Sequence, residues 1–429
     1  MPATIVPIHE NQEPYLAMFA KRAEKLPGLP ELRRAAAERF AALGFPTTKD
    51  EDWRYTNLAP FLKRPYEPAA PAPVEAVRER LAAVPFTDLG CPRLVFVNGR
   101  YVPELSAPPD GITAGNVRAV QDWTTFAEAE QLGDNALAAL NTALFEDGAF
   151  IRIANGCVSE QPVHVLYVSS GSGVSYPRTL IVAGRDSQAV LVEGYLGLGD
   201  DAYFTNAVTD LIAADGAVVS HVKLQTESPQ ALHCGLLRVR QGASSNVRSH
   251  NIALGAALAR NEIKVALEGE GAECTLNGLY LTTGRQHVDN HTTLDHARPH
   301  TTSTELYKGI LDGKSEAVFH GRIIVRPVAQ KTNAIQRNKN LLLSRDAVIN
   351  TKPQLEIYAD DVRCTHGATV GQVDQEAVFY LRSRGIGLEE ARSLLTYAFT
   401  SDLIEAVPVE AIRERLSAAL FERLQGGLL

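Results

Sequence analysis

A loose motif recurs through the middle of the chain: a turn residue, then alternating small and apolar positions. It reads DSQAVLVEGYLG from Asp186, DGAVVSHVKLQ from Asp215, GASSNVRSHNIAL from Gly242, GAECTLNGLYLT from Gly271, GKSEAVFHGRIIV from Gly313 and RDAVINTKPQLEI from Arg345. Most successive starts lie about thirty residues apart, inside the period range of solenoids and stacked-strand arrays. A strand-rich unit of that length is too short to bury its own apolar face, whereas coils stacked one on the next share a continuous core. The spacing therefore predicts a mainly β protein built on a parallel β-helix. A propeller would need a more regular period near about forty and a blade signature, and a sandwich seldom runs this long.

Helical patterns flank this region. Tyr15 to Leu26 and Glu31 to Leu43 are rich in Ala, Glu and Arg, the second stopped by Gly44 and Pro46. Pro65 to Pro73 (PYEPAAPAP) reads as a connector, with further helix at Val74 to Val84 and Asp134 to Phe145. At the other end, Asp374 to Arg384 stops at Gly385, Leu388 to Val407 carries an apolar stripe, and Pro408 opens a last helix with Ile412, Leu416, Leu420 and Leu424 on one face before Gly426 and Gly427. The predicted division is a helical region over 1–90, a β-helix core over 91–369 with some helix near 118–146, and a helical region over 370–429. Those last helices are placed as a cap that can shield the solenoid end and can equally offer an apolar face to a partner.

Composition narrows the function. Hydrophobic residues at 45% and charged residues at 21% exclude a mostly disordered chain. The formal charge of −8 opposes binding to nucleic acid or anionic lipid. The basic stretch Arg322 to Lys339 is interleaved with apolar, Asn and Gln residues rather than stacking aromatics, and reads as a solvated sheet face. No apolar run approaches the roughly 20 residues needed to cross a bilayer, and MPATIVPIHENQEPY lacks a basic and an apolar leader region, so a cytoplasmic protein is expected. Five dispersed cysteines (Cys91, Cys157, Cys234, Cys274, Cys364) are read as reduced thiols.

Three clusters invite chemistry. Gly309 to Ser315 looks like a nucleotide loop, but only three residues separate Gly309 from Gly313 where the phosphate-cradling loop has four, and a strand-like run follows instead of a helix. His287, His291, His296 and His300, with Asp289 and Asp295 between them, offer metal-type donors. On a strand, residues four apart share a face but stand about 13 Å apart, too far to chelate one ion, so polar side chains stacked on adjacent coils are expected instead. Cys364 and His366, two apart in DDVRCTHGATVG, project to one face of a strand and are near enough to share a ligand. They supply two donors where an iron–sulfur or zinc site takes about four. Either the pair is structural or a second chain completes the site.

Ala317 to Ile386, with KTNAIQRNKNLLLS, TKPQLEIYADDVRCTHGATVG and FYLRSRGI in that order, resembles the signature region of the SufB/SufD iron–sulfur cluster assembly family, on its SufD side; KDEDWRYTNL (Lys49 to Leu58) is similar to another family segment. The resemblance implies a right-handed parallel β-helix between helical ends, pairing with SufB, and one copy of the ATPase SufC bound through the C-terminal helices, where Tyr380, Arg382, Leu394 and Tyr397 are the expected contacts. It implies a transient Fe–S cluster shared with SufB, with His366 as a metal ligand at that interface and Cys364 beside it, and no nucleotide on this chain. It allows a reduced flavin in the complex, although no flavin-binding motif is visible, and a homodimer in isolation. A SufB-like sulfur-accepting scaffold is the alternative, opposed by GATVGQVDQEAV after His366 where a Glu-His-Glu run is expected. A β-helix carbohydrate-active enzyme is a remoter one.

Overall fold

The computed structural model describes residues 11–63, 65–120, 123–130 and 133–424. Most of the opening stretch MPATIVPIHENQEPY and the Gly426–Gly427 helix stop lie outside them. The chain winds into a β-solenoid of about eight turns with helices at both ends. Its two long sheets hold alternate strands. The first sheet ends with Glu273–Thr282, Thr302–Leu311, Asn333–Leu342 and Arg363–Gly371; the second ends with Leu258–Leu267, His287–His296, Glu316–Val325 and Val348–Ile357. Pairing along both solenoid walls is parallel and in register, so equivalent residues of successive coils stack in rows.

The recurrence in the sequence has a conformational cause. Gly156, Asp186, Gly216, Ser244, Gly271, His300 and Lys331 occupy one corner of successive coils, all left-handed with φ between 52° and 70°. Each donates its N–H to a carbonyl of the following coil, as in Asp186 to Asp215 at 3.0 Å, Gly216 to Ala243 at 2.8 Å and His300 to Gln330 at 2.9 Å. Gly tolerates this conformation most cheaply, with Asp and His next, which is why turn residues punctuate the chain at coil length. Inside the coils, alternate residues such as Val219, Val247, Cys274 and Ala334 form the continuous core.

The flanking helices cover the outer faces of the two walls. Leu403, Ile404, Ile412, Leu416 and Leu420 pack on Val222, Leu224, Ile252, Leu279 and Ile310, which point outward from the first sheet. Each such side chain contributes about 2 kcal/mol of burial, and Lys308 adds a clamp, donating to Asp402 Oδ1 and to the Phe399 carbonyl, both at 2.7 Å. The C-terminal helices therefore lie along the side of the solenoid. The expected end cap is corrected: the apolar stripe finds its complement on a sheet face, and among the described residues no strand pairs beyond the last coil.

The N-terminal helices do the same on the second sheet, with Phe40, Phe45, Leu140 and Phe145 around Phe204, Leu232 and Leu258. Pro65 to Pro73 is not a free connector. Ala69 donates to Val174 at 3.0 Å and Val174 to Glu67 at 2.8 Å, adding backbone to the edge of the strand Gly173–Ser175. The helices between 117 and 144 interrupt the first coil after the strand Arg93–Val97. They are tied down by a buried ionic cluster: Arg178 reaches Glu130 and Asp210, each at 2.6 Å, and Arg238 reaches the same two carboxylates at 2.9 and 2.6 Å. Burial alone would raise the Glu130 carboxyl, but the two guanidiniums outweigh it and hold it down to about 2.

Candidate functional site

The open end of the solenoid is where the chemistry-bearing residues of the sequence meet exposed surface. Arg363–Gly371 pairs with Asn333–Leu342 on one side, and Val348–Ile357 pairs with Glu316–Val325; among the described residues, neither has a partner strand beyond it. Both leave a row of backbone donors and acceptors open to a further chain. Large apolar side chains lie on or directly after these strands: Val370 and Tyr358 are at least half exposed, as are Phe379 and Tyr380 on the helix that follows.

Strand periodicity places Cys364 and His366 on the same face, about 7 Å apart along the strand. Register carries that face inward: Cys364 lies beside Ala334 and His366 beside Gln336, both fully buried. Cys364 is half-buried against the end of the core and His366 is exposed. Burial pushes the Cys364 thiol above the ordinary range, with a backbone hydrogen bond at Ala334 drawing it partly back. The thiol is thus held protonated until a metal or another electrophile displaces its proton.

Behind the pair run two rows. One continues from Cys364 through Ala334 and Ser303 to Cys274; the other goes from His366 through Gln336 to Glu305. Gln336 Nε2 donates to Glu305 Oε2 at 2.7 Å, and burial lifts the Glu305 carboxyl to about 7. A carboxyl titrating near neutrality therefore sits two strands behind His366. Sequence reading missed it. STELYKGI shows a Glu on the inward phase of a strand, but nothing in it says which residue stacks above.

The same inward phase carries charge deeper in the solenoid. His221 meets Glu193 at 2.8 Å, Lys223 meets His233 at 2.8 Å, and His233 meets Glu227 at 2.6 Å. Burial lowers Lys223 to about 8. Glu193, His221 and Lys223 lie inside the repeat strings as interruptions of their apolar alternation.

The remaining sequence candidates separate. Tyr380, Arg382 and Leu394 are exposed on the helices Gln375–Ser383 and Leu388–Glu405. Tyr397 is turned inward, its ring stacked on Phe421 at 4.6 Å and its hydroxyl 3.2 Å from Ser417 Oγ, so it holds two helices together. The four-histidine run is dispersed: His296 is buried between Thr301 and Ser303, His300 is a corner residue, and His287 and His291 face outward. His291 stacks on His320 of the adjacent coil, the expected cross-coil arrangement. Lys314 follows a left-handed Gly313 in a strand-to-strand turn, without the helix a phosphate loop requires. In the basic stretch Arg322 pairs with Glu356 at 2.6 Å and Arg326 with Asp295 at 2.6 Å. Cys274 and Cys234 are buried thiols, the latter pushed up to about 12. Among the described residues no helix is long and apolar enough to cross a membrane.

Comparison with known proteins places two family models end to end on the chain: the SufBD protein N-terminal region over 10–165, and the SufBD core domain of SUF system FeS cluster assembly over 166–399. An iron–sulfur cluster assembly SufBD family protein of Synechocystis is 33% identical over 90% of this chain and 88% of its own length. The iron–sulfur cluster assembly protein SufD of Escherichia coli is 33% identical over 91% and 92%, and that of Bacillus subtilis 24% over 96% and 97%.

Proposed function

We propose, from the premise that this chain belongs to the SufBD family of SUF-system iron–sulfur cluster assembly proteins, that it is a SufD-type scaffold subunit and not itself an enzyme. It pairs through its open solenoid end with a SufB-type partner in the cytoplasm, and its C-terminal helices receive the SufC ATPase, which hydrolyses ATP. Tyr380, Arg382 and Leu394 are the exposed positions on those helices available for that contact.

The observation that carries this reading is the placement of Cys364 and His366 on the last, unpaired strand of the first sheet, at an edge ringed with exposed apolar side chains. A thiol and an imidazole make half of a four-donor set. A second chain docking on this edge would supply the rest and cover Val370 and Tyr358 in the same step. The nascent cluster is cargo assembled between the two chains, and Glu305 stands behind it as a group able to take the proton that metal binding displaces from the thiol.

The test is iron and acid-labile sulfide after anaerobic purification, for the chain alone and co-expressed with SufB and SufC partners. Sulfide and iron together are expected only in the complex, and His366→Ala should abolish them while leaving the complex's size unchanged. Full cluster yield with His366→Ala, or sulfide with iron on the isolated chain, refutes the shared site.

A further inference from the structure

The segment Lys49–Leu58, set apart in the sequence, folds against the outer face of the second sheet. Its short turn Glu51–Trp53 stacks the Trp53 ring on the Arg260 guanidinium at 3.8 Å, while Arg260 Nη1 donates to the Asp52 carbonyl at 2.9 Å. Thr56 anchors the far side of the turn on His287 Nε2 at 3.0 Å and on Asp289. These contacts hold the Asp52 carboxylate over two neighbouring strands, His287–His296 and Glu316–Val325.

On those strands His291 and His320 are direct register partners, with rings edge to face and centroids 4.7 Å apart. One donor atom from each of Asp52, His291 and His320 lies within 4.8 Å of the others, and Asp52 Oδ1 is 3.8 Å from His320 Nδ1. Two donors bound to one ion at ~2.1 Å can stand at most ~4.2 Å apart. Asp52 and His320 already stand within that limit. The supporting contacts are those that orient ligand imidazoles. His320 Nε2 donates to Gln354 Oε1 at 2.5 Å, which leaves the lone pair on Nδ1, the nitrogen facing Asp52. His291 Nε2 is 3.0 Å from the buried carboxylate of Asp289. The nearest cations are engaged elsewhere: Lys352 pairs with Glu51, Arg260 with Asp289 and Arg322 with Glu356.

We propose that Asp52, His291 and His320 bind one divalent first-row transition-metal ion and that the ion clasps the Lys49–Leu58 segment to the solenoid wall. Two imidazoles with one carboxylate suit iron(II), zinc or cobalt, whereas magnesium and calcium take all-oxygen sets. Three protein donors leave coordination positions free for water. The site lies on the opposite sheet from Cys364 and His366 and takes no residue from the cluster interface.

The experiment is an anaerobic titration of the full chain with cobalt(II), read by its visible ligand-field bands and by Trp53 fluorescence. One saturable equivalent is expected. Binding should weaken at least ~10-fold in His320→Gln and in Asp52→Asn, the latter on an exposed side chain that leaves packing untouched. It should persist in the Cys364→Ser/His366→Ala double variant and against excess magnesium. Absence of a stoichiometric cobalt site, or binding that survives both Asp52→Asn and His320→Gln, overturns the assignment. Loss in the Cys364/His366 double variant overturns it as well.

Discussion

Glu305 is the most informative residue to perturb, because its protonation is set by the fold and it lies in the row that ends at His366. Its carboxyl is fully buried, accepts from Gln336, and titrates near 7 instead of 4.5 because burial penalises the charged form more than its hydrogen bonds offset. Between those two values the folded chain holds a proton that the unfolded chain has released. Stability from this group is therefore complete below about pH 4.5, falls as pH rises, and is lost above about 7. At ~1.4 kcal/mol per pH unit the interval amounts to roughly 3 kcal/mol. Glu305→Gln replaces the acid by a neutral group of the same shape that can still accept from Gln336. The variant should match the parent near pH 4.5 and exceed it by up to roughly 3 kcal/mol at pH 8. Paired urea unfolding curves at the two pH values measure this, since other titrating groups cancel between variant and parent. An offset that does not change with pH refutes the reasoning; so does a variant less stable at pH 8.

The ionic cluster around Arg178 makes the opposite pH prediction. Arg178→Met leaves Glu130 and Asp210 buried with only Arg238 and should cost about 3–5 kcal/mol in denaturant midpoint experiments. In the parent, stability from Glu130 is present above pH 4.5 and lost as pH falls towards about 2, a loss the variant should show at higher pH. For the thiols, alkylation of the native chain should be slow at Cys364 at pH 7 and accelerate with rising pH, because burial holds that thiol protonated. Cys234 and Cys274 should react only on unfolding, as mass spectrometry of the alkylated chain would show. Rapid labelling of Cys364 at pH 6 would mean that its environment favours the thiolate.

The solenoid was legible because its cause is local. Each coil needs a residue that accepts a left-handed corner and strands that alternate, and both leave marks near coil spacing from Asp186 to Gly271; the later marks Gly313 and Arg345 precede strands of the second sheet, which is why the spacing stretches there. The common face of Cys364 and His366 followed from strand periodicity in the same way. What failed were readings that needed to know which surfaces meet. The stripe through Leu403, Ile412 and Leu416 was visible, but its partner could have been the solenoid end or the solenoid side. Outward residues as far apart as Val222 and Ile310 had to align before the side won. Tyr397, expected among the partner contacts, stacks on Phe421, a pairing that depends on where the last helix packs. PYEPAAPAP read as a linker because its backbone bonds go to Val174, more than a hundred residues away.

The sequence by itself determined the coil, the alternation of faces, the helical flanks and the incompleteness of the Cys364–His366 pair. All of these are written in turn chemistry and periodicity within one coil's length. Only the tertiary structure decided that the last coil stays open, that Glu305 stands behind His366, and that Asp52 meets His291 and His320. Stacking sets those neighbours: which residue lies above which depends on the summed length of every loop and strand between them, and a shift of one residue in any coil would turn each row to the other face.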